Sequence, residues 1–137
     1  MKIPNLRRSR EQVRGVVFFG RMLDEIRLHD RGQLPDGYNL GTGFDENMCG
    51  FLGIAYGSVR VRTLEGGTDE DILNWVFDQT ETPHPFFVRM WNHYVLKLGD
   101  RDETSDSLRR TKEAAGFGDR EDIRTWCDFH DADEGWI

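Results

Sequence analysis

The spacing of large apolar side chains predicts helices from one end of this chain to the other. The first covers residues 9–31. Val13, Val16, Val17, Gly20, Leu23 and Ile26 recur at steps that keep them on one side, Ser9 stands as N-cap with Gln12 at the capping-box spacing, and Gly32 is the stop. Phe18, Phe19 and Met22 carry the apolar surface almost all the way round, the pattern of a helix enclosed by others. Gly15 and Gly20 would each cost roughly 1 kcal/mol against Ala inside a helix. Their presence suggests that another helix approaches closely there.

Residues 33–43 read as a loop, with Leu34-Pro35-Asp36-Gly37 as turn chemistry. A short helix over 45–54 would bury Met48, Cys49, Phe51 and Leu52. Residues 58–64 alternate Val59, Arg60, Val61, Arg62 like a strand. A lone strand has no partner, so a helix is the better reading. Thr68 followed by Asp69, Glu70 and Asp71 places a capping hydroxyl and three acids at a helix start. Ile72, Leu73, Val76 and Phe77 form its inner stripe. Thr82-Pro83-His84-Pro85 breaks the chain, and the next helix, over 85–98, has the clearest pattern: Phe86, Phe87, Met90, Trp91, Tyr94, Val95 and Leu98 make one broad apolar face. A polar helix over 102–115, anchored by Leu108 and Ala115, should lie outside. A last helix over 119–130 carries Ile123, Trp126, Cys127 and His130 on one stripe. The expected fold is all-α: an irregular orthogonal bundle of six or seven short helices around a long first helix, as a single domain over 1–137.

Composition supports a folded chain. Apolar residues make up only 37% of 137 residues, but aromatics reach 12% and concentrate the core in patterned segments. No apolar run is long enough to span a bilayer, and the basic N-terminus lacks the apolar stretch of a secretory signal. Cys49 and Cys127 form no CxxC pair, so two buried free thiols and a cytoplasmic location are expected. The net charge of −7 is segregated: residues 1–31 carry +4, 32–99 carry −5 and 100–137 carry −6. An acidic chain gains little from counterion release on nucleic acid. The patch of Arg7, Arg8, Arg10 and Arg14 therefore reads as solvated, or as paired with the acidic C-terminal half, rather than as a nucleic-acid site.

Several stretches, in order along nearly the whole chain, resemble a bacterial family of uncharacterised proteins, domain-of-unknown-function family 5069. They are Leu6-Arg7-Arg8-Ser9-Arg10-Glu11, Gly20-Arg21-Met22-Leu23-Asp24-Glu25-Ile26-Arg27, Tyr38-Asn39-Leu40, Phe51-Leu52-Gly53-Ile54, Gly67-Thr68-Asp69-Glu70-Asp71-Ile72-Leu73-Asn74-Trp75 and Asp128-Phe129-His130-Asp131-Ala132-Asp133-Glu134-Gly135. The resemblance implies a bacterial origin and no particular chemistry.

Candidate chemistry is sparse. Arg21, Asp24, Glu25, Arg27 and Asp30 form a charged set on the first helix, with Arg21 and Glu25 an i,i+4 pair of opposite sign. Such a set could hold a small polar ligand, with Tyr38 and Asn39 contributing, or it could lock neighbouring helices. Asp128, His130, Asp131, Asp133 and Glu134 crowd the tail, and Asp131-x-Asp133-x-Gly135 is like the start of an EF-hand loop, but the chain lacks the twelve residues and closing Glu that loop needs. Glu25 and His29 make half a zinc site. Asn39-Leu40-Gly41-Thr42-Gly43 is neither GxGxxG nor a P-loop. Trp75, Phe86, Phe87 and Trp91 could line an aromatic pocket, but read better as core. No catalytic signature stands out, and no metal or cofactor is called for. Three readings follow: a non-catalytic accessory or protein-interaction module docking a partner or a second copy; a small polar-ligand binder or minor enzyme using Arg21, Asp24, Arg27, Tyr38 and Asn39; and, least favoured, a nucleic-acid binder. The second requires those side chains to converge on one cavity, and Arg21 and Asp24 pointing to opposite sides of the helix would exclude it; a deep polar pocket would separate it from the first.

Overall fold

A computed structural model describes residues 1–137 and shows seven helices with one minute sheet. The chain opens in turns and then makes a hairpin of β1 (Gln12–Val13) and β2 (Val16–Val17), paired antiparallel with Val13 opposite Val16. The helices are α1 (Phe19–Asp30), α2 (Phe44–Leu52), α3 (Tyr56–Leu64), α4 (Asp69–Gln79), α5 (Pro85–Lys97), α6 (Ser105–Ala114) and α7 (Trp126–Asp133).

The long first helix expected over 9–31 is not formed. Only 12 residues of it are helical, and the preceding stretch is the hairpin. The reason lies in Arg14-Gly15. Both adopt positive φ, 48° and 81°, the combination of a two-residue turn whose twist matches the flanking strands. So short a ladder is marginal alone, and α5 completes it. The Asn92 side chain accepts from the Val17 N–H at 3.0 Å and donates to the Gly15 carbonyl at 2.7 Å. The Trp91 indole donates to the Val17 carbonyl at 2.9 Å. Ser9 caps no helix; it is fully buried, its hydroxyl 2.6 Å from His130 Nδ1. At Gly20 the close neighbour is a side chain rather than a helix: a Cβ there would lie 2.7 Å from the Arg7 guanidinium carbon.

The core joins the hairpin, α1 to α5 and α7. Val17, Phe19, Met22, Leu23, Met48 and Val76 are among its completely enclosed side chains. Residues 56–64 are helical, as the missing partner strand required. Thr68 caps α4 through a full capping box with Asp71. The last helix begins later than the apolar stripe suggested, because Thr125 and Asp128 form a second capping box that fixes its start. Residues 119–125 are turns, tied to α6 by Lys112 Nζ, which donates to the carbonyls of Arg120 and Ile123.

The broad apolar face of α5 packs along one edge only. Trp91 and Val95 are buried, and Trp91 stacks on Phe51 at 5.3 Å. Phe86, Phe87, Met90 and Tyr94 are 49%, 54%, 52% and 42% exposed. Trp75 is half-buried against the core, so the four aromatics considered as a pocket do not form one. Cys49 and Cys127 are free and buried. No helix is long and apolar enough to cross a membrane.

Candidate ligand-binding cleft

Phe18, in a left-handed conformation with φ 75°, ends the hairpin and aims α1 so that Arg21 and Glu25 face the start of α2 and the C-terminal tail. Arg21 is 3% exposed. Its guanidinium makes a fork to Glu134, with Nη1 2.9 Å from Oε1 and Nη2 2.6 Å from Oε2. Its Nε donates to Glu25 Oε1 at 3.2 Å and its Nη1 also donates to the Arg7 carbonyl. The Tyr38 hydroxyl donates to Glu134 at 3.0 Å. Such a fork satisfies planar donor and acceptor together, which lets both charges sit away from water.

Asp45, in the first turn of α2, is 1% exposed. Its Oδ2 accepts the Gly41 N–H at 2.9 Å, whereas its Oδ1 has no hydrogen-bond partner in the protein. The Tyr56 hydroxyl is equally unpartnered. Gly41 has φ +79°, and a Cβ there would lie 3.0 Å from the Tyr56 ring, so this glycine permits the loop to close over that ring and point its amide at Asp45.

One guanidinium therefore serves three buried carboxylates. Glu134 takes most of it, and the surplus negative charge shows in its neighbours. Burial pushes the Glu25 carboxyl up to about 8, with the Asp45 charge adding to the rise and Arg21 only partly opposing it. Burial also raises Asp45, against the lowering effects of the Gly41 amide and Arg21. His130 is driven down to about 3 by burial and then by the Arg21 charge, so its ring is neutral at ordinary pH.

These groups border a cleft of about 730 Å³. Its walls carry six carboxylates, Glu25, Asp36, Asp45, Glu103, Asp133 and Glu134, and a single guanidinium, Arg21. Between them lie six aromatic rings: Phe18, Tyr38, Phe44, Tyr94, Trp126 and Phe129. No three His, Cys, Asp or Glu side chains come together as metal ligands would.

A comparison with protein families matches residues 3–136 to the family described as Domain of unknown function (DUF5069). The chain belongs to the DUF5069 family. A comparison with curated proteins returns no significant match.

In this DUF5069 protein the charged set expected on the first helix divides between two places. Arg21, Tyr38 and Asn39 border the cleft. Asp24 and Arg27 belong to a second network on another side of α1, so the expected convergence of Arg21, Asp24 and Arg27 on one cavity does not occur. There Arg7 forks onto Asp24 at 2.8 and 2.9 Å and reaches Asp69 at 2.7 Å, while Arg27 meets Asp69 at 2.7 Å and Asp24 at 3.6 Å. That network ties the N-terminal segment, α1 and α4 together. The basic start is paired with the acidic end: Arg8 and Arg10 share Asp131, and Arg10 also meets Asp128. The acids of the DUF5069 tail are accordingly held by arginines, apart from the exposed Asp133. His29 is exposed while Glu25 is buried, so that pair faces two environments. Asp45, Glu134 and His130 are cleft residues that the earlier set omitted. In the sequence Glu134 and His130 stand out only within the acidic tail cluster, and Asp45 only as an acid near the start of a short helix. Nothing in the pattern tells that residues 21 and 134 meet.

Proposed function

We propose that the chain, as a single domain over 1–137, holds a small polar molecule in the cleft beside Arg21, Tyr38 and Asn39. One observation carries this reading. The cleft is within the size range of small-molecule sites, and its polar groups are preorganised by the Arg21–Glu134–Tyr38 network rather than left to solvent. Asp24 and Arg27 then act as structural supports that hold α1 against α4. Glu25 keeps a carboxyl near neutrality, which is the property of a general acid or base. The Ser9–His130 pair has no nucleophilic role, because Ser9 is enclosed. The reduced, buried cysteines support a cytoplasmic setting, and the family resemblance supports a bacterial source.

Amide NMR on the intact chain tests the reading, using a library that mixes neutral, anionic and cationic metabolites. Shifts clustered on Tyr38, Asn39, Phe44, Asp45 and His130 are expected. A library in which no compound moves those signals sinks the proposal.

A second reading, the interaction module, is favoured by the exposed strip of Phe86, Phe87, Met90 and Tyr94 on α5. A self-complementary apolar strip suits a second copy related by two-fold symmetry. Sedimentation velocity over a wide concentration range should then show a monomer–dimer equilibrium that Phe87→Asp abolishes. A strict monomer at every concentration would exclude it.

A further inference from the structure

The geometry points to an organic ammonium compound as the ligand class: a primary amine or polyamine with its charged end among Asp45 and Glu25 and its hydrocarbon body against Phe18, Phe44 and Phe129. This inference rests on the cleft being a binding site and names what it takes.

Three observations converge on that chemistry. The first is charge. Arg21 is committed to Glu134, and with Glu25 holding its proton the remaining Asp36, Asp45, Glu103 and Asp133 still leave the cavity negative, a field that low-dielectric walls focus. An anionic ligand would be repelled, and a neutral one would leave the imbalance untouched. The second is the unpartnered Oδ1 of Asp45, an enclosed acceptor on the wall of the cleft. A buried acceptor without a donor costs on the order of 1–3 kcal/mol. An ammonium group brings three donors and the compensating charge in one small headgroup. The third is the aromatic lining. Ring faces attract ammonium groups and also accept alkyl or aryl bodies, and they offer nothing comparable to a carboxylate or phosphate. A bare metal ion fits less well. The acids are spread along the cleft and do not gather as a ligand set, and a cavity of about 730 Å³ is far larger than an ion.

Arg21 supports the same assignment from the other side. Because its fork is closed on Glu134, whose Oε2 also accepts from the Tyr38 hydroxyl, it presents no free donor pair to an incoming carboxylate. The exposed Asp36 and Asp133 at the rim extend the negative field to solvent and would speed capture of a cation.

Isothermal titration calorimetry on the full chain, with spermidine, cadaverine and phenethylamine as probes, tests the assignment. Phenethyl alcohol, hydrocinnamate, magnesium and calcium serve as comparisons. At least one amine should bind saturably, more weakly as salt is raised. Asp45→Asn should weaken it by ~30-fold or more, the usual consequence of removing one partner of an enclosed charge pair. The paired rim variant Asp36→Asn/Asp133→Asn touches only exposed side chains and so keeps the fold; a few-fold loss is expected there. The rim result decides if Asp45→Asn fails to fold. Amine affinity unchanged in all these variants overturns the assignment. So does tighter binding of a divalent metal that displaces the amine. If the alcohol or the carboxylate binds at the cleft and no amine does, the ligand class is wrong while the binding site stands. If nothing of any class binds, both fall.

Discussion

Arg21 and Glu25 show how much a single side chain decides here. Arg21 is the only cation among three enclosed carboxylates. Arg21→Ala should therefore lower unfolding stability by about 3–5 kcal/mol, the cost of leaving a buried charge unpaired. Urea denaturation measures it. Arg21→Lys should recover only part of the loss, because an ammonium cannot make the two-point fork to Glu134; full recovery would show that only charge matters. Glu25 gives a pH signature with a definite sign. Its folded value of about 8 lies above the ordinary 4.5, so between those limits the native state keeps a proton that the unfolded chain has released, and stability falls as pH rises. His130 acts oppositely. Its folded value of about 3 lies below the ordinary 6.5, so stability rises with pH across that lower window. The two overlap in mildly acidic solution. Above the ordinary histidine range only the Glu25 effect remains, with a slope of up to about 1.4 kcal/mol per pH unit. The melting temperature should fall from neutral to mildly alkaline pH, and Glu25→Gln should flatten that fall. Equal slopes in both proteins would contradict the assignment.

At the scale of elements, two lessons concern helices that the apolar pattern misjudged. Residues 12–17 carry helical spacing, yet they form a hairpin, because Gly15 takes positive φ at little cost, the Arg14 side chain is anchored on Asn74, and α5 supplies the hydrogen bonds the short strands lack. Asn92→Ala removes a donor and an acceptor together and should cost about 1–3 kcal/mol in thermal or chemical denaturation. A cost near zero would mean that the hairpin stands without α5. Along α5 itself the seven-residue stripe predicted a single buried face, but its exposed members are separated from its buried ones by only part of a turn. Phe86→Ser and Phe87→Ser should each stay within about 0.5 kcal/mol of the parent, as exposed substitutions do. Trp91→Ala should lose about 3–5 kcal/mol. Comparable losses at all three positions would place the strip inside the fold. The capping boxes, by contrast, were readable. Thr68 ahead of three acids marks the start of α4, and Thr125 with Asp128 has the same spacing as Thr68 with Asp71, masked only by the apolar stripe around it.

At the scale of the whole molecule, the two ends of the chain close on each other. Arg8 and Arg10 clamp Asp131 and Asp128, and Glu134 reaches Arg21, so the last helix is bound to the first residues by charge as much as by apolar packing. A chain beginning at residue 11 would leave Asp24 without Arg7 and Asp131 and Asp128 without Arg8 and Arg10, and Glu134 would still sit in its enclosed place. We expect it to lose cooperative unfolding by circular dichroism. A sharp transition near that of the full chain would show that the clamp is dispensable. The same closure shapes the cleft, whose walls come from α1, α2, the 36–43 loop, α5, α6 and the C-terminal helix.

Local information reached as far as the helices, their better-marked ends, the buried thiols, the Arg21–Glu25 pair and the pairing of a basic start with an acidic end. Each depends on residues a turn or two apart, or on charge summed over a segment. The division of the first-helix charges between two networks, the exposed half of α5 and the union of Arg21 with Glu134 were decided only in three dimensions. They depend on which faces meet, and burial alone turns a carboxylate from a solvated charge into a group that needs a partner.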